Sequence, residues 1–131
     1  MPFHHLRIAR PVRDLEKSCE MYCRGLGLNK IGAFADHAGF SGCMLGRSDL
    51  AWHLEFTLCH AHPVLPAPSL EDLLVLYIPE KAEWQSACQQ MNDAGFVSMA
   101  AFNPYWDNQG QTFQDEDGYR VVLQQSCWET A

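Results

Sequence analysis

The sequence predicts an α+β fold in which a βαβββ module occurs twice. Apolar residues alternate with polar ones in several short segments and recur at helical spacing in two longer ones, and the order strand, helix, three strands is repeated. Each helix would cover one face of its sheet. The opposite faces would then form a curved mixed sheet around a cavity in which polar side chains collect.

The first module is predicted over residues 1–59. Leu6 and Ile8 alternate with polar neighbours and predict a core-facing strand that ends at Pro11. Asp14 is a candidate N-cap for the next helix. One face of that helix is apolar and carries Leu15, Cys19, Tyr22, Cys23 and Leu26. Three strands follow, over Lys30–Asp36, Gly39–Gly46 and Ala51–Leu58; in the last, Trp52, Leu54 and Phe56 form one face, and His53, Glu55 and Thr57 form the other.

The second module is predicted over residues 70–131, after a proline-rich linker at residues 60–69, within a single domain of residues 1–131. Its elements are a strand over Leu73–Ile78, a helix over Glu80–Ala94, and strands over Phe96–Phe102, Gln111–Gln114 and Tyr119–Gln124. Asp115-Glu-Asp-Gly118 predicts a hairpin turn, because a calcium loop of the EF-hand type needs ligands spread over about twelve residues. Asn103-Pro-Tyr-Trp106 either lines the rim of the cavity or caps the end of the sheet.

Composition excludes several classes of function. The chain has 131 residues, of which 47% are hydrophobic and 19% charged, so it is expected to fold. Its formal net charge of -7 disfavours nucleic acid and anionic membrane surfaces as partners. The start carries no signal-peptide pattern, which predicts a cytoplasmic protein. The six cysteines form no C-x-x-C pair and are expected to be reduced, small buried residues.

Four segments of the chain resemble one known superfamily. They are Arg13-Asp-Leu-Glu-Lys-Ser18 leading to Tyr22 and Gly25-Leu-Gly-Leu28, then His53-Leu-Glu-Phe-Thr57, Asn92-Asp-Ala-Gly-Phe96, and Asp115-Glu-Asp-Gly-Tyr-Arg-Val-Val-Leu123. Together with the duplicated order, they resemble the vicinal-oxygen-chelate superfamily, which includes glyoxalase I, bleomycin resistance proteins, fosfomycin-modifying enzymes and extradiol dioxygenases. The resemblance implies the glyoxalase/bleomycin resistance/dioxygenase fold. It also implies a homodimer, and sedimentation of a 14.8 kDa species alone would count against that expectation.

The resemblance also identifies the four positions that hold metal ligands in the enzymes of this superfamily. In this sequence they are occupied by Arg7, Glu55, Leu73 and Val122. Only Glu55 is a residue type that binds metal, because arginine stays protonated and has no lone pair to donate. We therefore expect no metal cofactor, and we expect Arg7 to form an ion pair with Glu55. The alternative is that both side chains are separately solvated on an open groove.

The predicted site combines these residues with aromatic side chains of the second module. Arg7, His53 and Glu55 lie opposite the apolar stripes of their strands and should face the cavity together. Glu55 and His53 are the candidate catalytic residues, and Arg7, Tyr77, Tyr105 and Trp106 the candidate binding residues, for a small polar or anionic organic molecule. One alternative is a lyase, isomerase or dioxygenase that uses Zn, Ni, Fe or Mn held by Glu55 and His53. The other is a protein that sequesters a drug or metabolite without chemistry.

Overall fold

The computed structural model describes residues 2–128, and both predicted βαβββ modules are present in it. Residues 1 and 129–131, which the predicted domain range includes, lie outside the described residues. The elements in chain order are β1 (Leu6–Pro11), α1 (Leu15–Leu26), β2 (Asn29–His37), β3 (Phe40–Gly46), β4 (Trp52–Cys59), β5 (Leu73–Tyr77), α2 (Lys81–Asp93), β6 (Val97–Met99), a 3₁₀ helix (Pro104–Asp107), β7 (Gly110–Gln114) and β8 (Arg120–Gln124).

The chain forms two compact units that divide between Pro66 and Ala67, a point within the segment 60–69 that the sequence predicts as a linker. The first unit holds a sheet of order β1-β4-β3-β2, and the second holds a sheet of order β5-β8-β7-β6. In each sheet the first and last strands of the module pair in parallel, and the other neighbours pair antiparallel. The predicted α+β class with mixed sheets is confirmed.

In the first unit, α1 packs on the apolar face of its sheet. Asp14 caps the helix as predicted, because its Oδ1 accepts a hydrogen bond from the backbone N–H of Lys17 at 3.1 Å. The helix ends at Gly27, whose φ of 66° is in the left-handed region that glycine adopts without strain. Beneath the helix, the ring of Tyr22 meets that of Phe56 edge-on at 4.9 Å, and both side chains are fully buried.

In the second unit, α2 covers the corresponding face of its own sheet. Glu80 caps this helix, and Met91 is its fully buried residue. The indole Nε1 of Trp84 donates a hydrogen bond to the carbonyl oxygen of Leu123 at 2.8 Å, which ties the helix to β8. Phe113 on β7 and Val121 on β8 complete the core on this side of the sheet.

Two predictions about strands are wrong in detail. Leu6 was expected to face the core, but it is 57% exposed, because α1 packs chiefly against β2, β3 and β4. The sixth strand was expected over Phe96–Phe102, but β6 has only three residues. The chain leaves the ladder there because the backbone N–H of Ala101 donates to Asp107 Oδ1 at 3.0 Å, a bond that belongs to the following 3₁₀ turn.

The cysteines are free thiols, as predicted, but they are not uniformly buried. Cys19 and Cys43 are buried, whereas Cys127 is exposed. Burial, together with the contact with the thiol of Cys19, raises the pKa of Cys43 to about 12. Within residues 2–128, the helices are too short and too polar for any of them to cross a membrane.

Candidate functional site

The register between β1 and β4 brings the predicted polar residues of the first unit together. The two strands run parallel, with Arg7 beside His53 and Ala9 beside Glu55. Alternate residues of a strand point to the same face, so the side chains of Arg7, His53 and Glu55 share the face opposite Leu54 and Phe56. Strand periodicity predicts that these three residues lie together, and the geometry agrees with that prediction.

Arg7 contacts both of the candidate catalytic residues. Its Nε donates a hydrogen bond to His53 Nε2 at 2.9 Å, and its Nη1 donates to Glu55 Oε2 at 3.3 Å. The Arg7 side chain is 49% exposed, and that of Glu55 is 13% exposed. The two charges are therefore paired rather than separately solvated, and about half of the Arg7 side-chain surface remains open to a solute.

His5, which is not among the residues predicted for the site, completes this network. Its Nε2 lies 2.6 Å from His53 Nδ1, and the two rings are 4.8 Å apart. The tautomers follow from the donors: because Arg7 donates to His53 Nε2, the proton of His53 is on Nδ1 and is donated to His5 Nε2. His5 precedes Arg7 by two residues, so strand periodicity places the two side chains on the same face. That spacing is the feature of the sequence from which His5 could have been predicted.

The network holds His53 in its neutral form. Burial lowers the pKa of His53 below its ordinary value of 6.5, the nearby guanidinium of Arg7 and the His5 ring lower it further, and only Glu55 opposes this. Protonated His53 would have no lone pair for the Arg7 N–H to use. Both ring nitrogens are thus engaged while the histidine is neutral.

We expect the free energy of unfolding to fall as the pH decreases below about 6.5, because His53 is kept neutral only in the folded chain. In the unfolded chain its pKa returns to about 6.5, so the unfolded state binds more protons in the window between the folded pKa and that value. The contribution of His53 is complete above pH 6.5 and is lost as the pH falls toward the folded pKa. Urea unfolding at several pH values between about 5 and 8 measures this slope.

A pair of variants isolates the contribution of His53 to this slope. His53→Gln keeps an acceptor for Arg7 and removes the titration, so its slope should be shallower than that of the wild type. His62→Gln changes an exposed histidine outside the network and should keep the wild-type slope. A His53→Gln variant with an unchanged slope would contradict the neutral assignment.

The residues at the four metal-ligand positions do not fit a divalent metal. Arg7 places a cation against Glu55, and Leu73 and Val122 offer hydrocarbon side chains. His53 has no free lone pair in the network described above. Among residues 2–128, no three side chains of His, Cys, Asp or Glu are arranged to hold a metal ion. The donor set of this chain therefore differs from that of the metal enzymes with this fold.

The aromatic residues predicted to bind a ligand lie in the second unit. Asn103 caps the 3₁₀ helix, since its Oδ1 accepts from the backbone N–H of Tyr105 at 3.1 Å. Tyr105 is exposed and meets Trp106 edge-on at 4.9 Å, and Trp106 lines a cavity in this unit. Tyr77 is also exposed, with its ring 6.1 Å from that of Trp128. That these residues share one ligand with Arg7 and His53 stays a prediction.

Comparison with known proteins identifies the family of this chain. Residues 6–57 match the YycE-like N-terminal domain, and residues 71–125 match the YycE-like C-terminal domain. The protein YycE of Bacillus subtilis (strain 168), described as uncharacterized, is 37% identical over 121 residues, which are 92% of this chain and 87% of that protein. This chain belongs to the YycE-like family. The crystal structure of a Bacillus subtilis YycE protein of unknown function has 35% identity and a TM-score of 0.89, over 98% of this chain and 93% of that one.

More distant structures share the glyoxalase/bleomycin resistance fold with this chain, which confirms the fold that the resemblance implies. Glyoxalase I of Leishmania major, described as trypanothione-dependent, has 15% identity and a TM-score of 0.71, over 95% of this chain and 87% of that one. TnmS3, an antibiotic binding protein from Streptomyces sp. CB03234, has 18% identity and a TM-score of 0.66, over 95% of this chain and 97% of that one. At these identities the likeness shows the fold alone.

Proposed function

We propose that this YycE-like protein binds a small polar or anionic organic molecule against the polar faces of its sheets, without the divalent metal centre of its superfamily. The observation that carries the proposal is the position of the Arg7 guanidinium, which bonds to both His53 and Glu55. The Arg7 guanidinium stands at a position where the metal enzymes have a ligand. It pairs with Glu55, the one carboxylate that remains at the four ligand positions.

The same arrangement favours recognition of an anion or a hydrogen-bond acceptor. Arg7 is held at Nε and Nη1 by two neighbours, so its remaining donors have a fixed direction. Its side chain is 49% exposed, which leaves those donors within reach of a solute. A planar, pre-oriented guanidinium matches a carboxylate or phosphate oxygen pair well. The description of TnmS3 as an antibiotic binding protein is consistent with use of this fold for binding small molecules.

The proposal is tested by metal content and by the coupling between Arg7 and Glu55. Purified without a tag and dialysed against a weak chelator, the protein is expected to hold far less than one equivalent of Zn, Ni, Fe or Mn. In a cycle of Arg7→Ala, Glu55→Ala and the double variant, urea midpoints should give a coupling of about 0.5–1 kcal/mol, as for a pair with one half-exposed partner. Binding itself is tested by a thermal-shift screen of small organic acids and neutral polar compounds against wild type and Arg7→Ala.

Each alternative function has its own outcome in these measurements. Near one equivalent of metal, lost in Glu55→Ala and kept in Arg7→Ala, would contradict the proposal and favour a metal-dependent lyase, isomerase or dioxygenase with Glu55 and His53 as ligands. A coupling energy below about 0.5 kcal/mol lies within additivity error and would contradict a stabilising ion pair between Arg7 and Glu55. A molecule that binds and is recovered unchanged would favour sequestration over catalysis.

A further inference from the structure

The second unit contains a cavity of about 250 Å³ with an uneven distribution of polar groups. Most of its wall is apolar: Leu73 and Val75 come from β5, Trp106 comes from the 3₁₀ helix, and Phe102 comes from the segment just before that helix. Arg120 and Thr112 add polar groups from β8 and β7. Arg120 pairs with Gln114, and Thr112 is two residues from Gln114 on the same strand, so the two side chains are diagonal neighbours on one sheet face. A cavity with an apolar wall and a few polar groups is typical of a small-molecule site.

Arg120 brings an uncompensated positive charge to this cavity. Its Nε donates to the side-chain oxygen of Gln114 at 3.0 Å, and within residues 2–128 it forms no ion pair. The hydrogen bond to Gln114 fixes the plane of the guanidinium and leaves the Nη groups available as donors. Glu71 also lines the cavity, but the residue is exposed to solvent and makes no salt bridge with Arg120.

Thr112 supplies an independent indication of a missing partner. The residue is 1% exposed, and its hydroxyl has no hydrogen-bond partner among the described residues. A buried hydroxyl without a partner is destabilising, so such groups are rare in folded proteins and call for a physical explanation. A ligand oxygen in the cavity that Thr112 lines would provide the absent acceptor.

We propose that this cavity binds a small monocarboxylate with an apolar body, whose carboxylate contacts the Nη groups of Arg120 and the hydroxyl of Thr112 while its body packs against Leu73, Val75 and Trp106. The exposed Glu71 disfavours a second negative charge, which selects a monoanion over a dianion. The inference goes beyond the proposed function, because its site is built on Arg120 rather than on Arg7 and because it names a ligand class.

The test uses benzoate and phenylacetate as probes, with benzamide and phenylacetamide as neutral counterparts and phthalate as a dianion. Calorimetric titration of the wild type should detect the monocarboxylates and give markedly weaker binding for the other three. Arg120→Gln should weaken the monocarboxylates by about 10- to 100-fold, the loss expected for a charge-assisted hydrogen bond. Arg47→Gln, which changes an arginine of the first unit that is paired with Asp49, should leave the affinity unchanged.

Thr112→Val provides a second test, because it should change stability and ligand affinity in opposite directions. Valine has nearly the same shape and no hydroxyl, so the variant should raise the melting temperature of the ligand-free protein by about 2 °C or more. It should also weaken monocarboxylate binding several-fold. A residue with only a structural role would not raise stability and lower affinity together.

The other outcomes separate this inference from the proposed function. Equal affinities of wild type and Arg120→Gln would overturn the inference. Loss of binding in Arg7→Ala with retention in Arg120→Gln would place the ligand in the first unit, which overturns the inference and supports the proposed function. Binding of other small molecules but of no monocarboxylate would likewise overturn the inference and support the proposed function. A wild-type protein that binds no small molecule in the screen would overturn both.

Discussion

Phe56→Ala should lower the free energy of unfolding by about 3–5 kcal/mol. Phe56 is fully buried, and its ring packs edge-on against that of Tyr22 at 4.9 Å. The variant loses the transfer energy of the ring, leaves a cavity beneath α1, and loses the aromatic contact. Urea unfolding followed by tryptophan fluorescence measures the change.

A matched substitution in the neighbouring strand is the control for this prediction. Phe40 on β3 is 44% exposed, so Phe40→Ala should lower the free energy of unfolding by less than about 1 kcal/mol. Equal losses in the two variants would contradict the assignment of Phe56 to the core.

The part of the site that could be predicted from sequence is the part that depends on strand periodicity. Side chains alternate along every strand, so the apolar stripe of Leu54 and Phe56 determines the face on which Glu55 and His53 lie. Arg7 follows by the same rule, because it alternates with Ile8. The resemblance then identified Arg7 and Glu55 as candidate partners, and their 3.3 Å contact is consistent with that interpretation.

The residues that were missed depend on pairings between distant parts of the chain. His5 bonds to His53 only because β1 and β4 pair in parallel with Arg7 beside His53, a register that no local pattern specifies. Thr112 and Arg120 become notable only through the cavity that both residues line and through the absence of a hydrogen-bond partner for Thr112. Burial and hydrogen-bond satisfaction are properties of the tertiary structure, and residue type alone does not contain them.

Element bounds failed for a different reason, which is competition between side chains and the strand ladder. The apolar residues of segment 96–102 favour a longer strand than β6. Asp107 nevertheless accepts the backbone N–H of Ala101, and Asn103 accepts that of Tyr105, so the chain turns before the ladder can extend. The turn at Asp115-Glu-Asp-Gly118 was predicted correctly, because its residue types are those that favour turns.

Asp115→Ala should lower the free energy of unfolding by about 1–3 kcal/mol for each of the two backbone donors that it leaves without an acceptor. The Oδ1 atom of Asp115 is buried and accepts hydrogen bonds from the N–H groups of Asp117 and Tyr119, both at 2.9 Å. Alanine cannot replace these bonds, and the buried position limits access of water to the two donors. Urea unfolding of the variant measures the loss.

Asp115→Asn is the control that separates the hydrogen bonds from the charge. Asparagine retains an acceptor oxygen in the same position, so it should keep most of the stability that alanine removes. The turn leads directly into β8, where Arg120 is the first residue, so we also expect Asp115→Ala to weaken monocarboxylate binding while Asp115→Asn preserves it. Equal destabilisation by asparagine and alanine would mean that the charge of Asp115, rather than its two hydrogen bonds, stabilises the turn. Because the backbone bond from Asp115 N–H to the Tyr119 carbonyl is unchanged in both variants, a difference between them reports on the side chain alone.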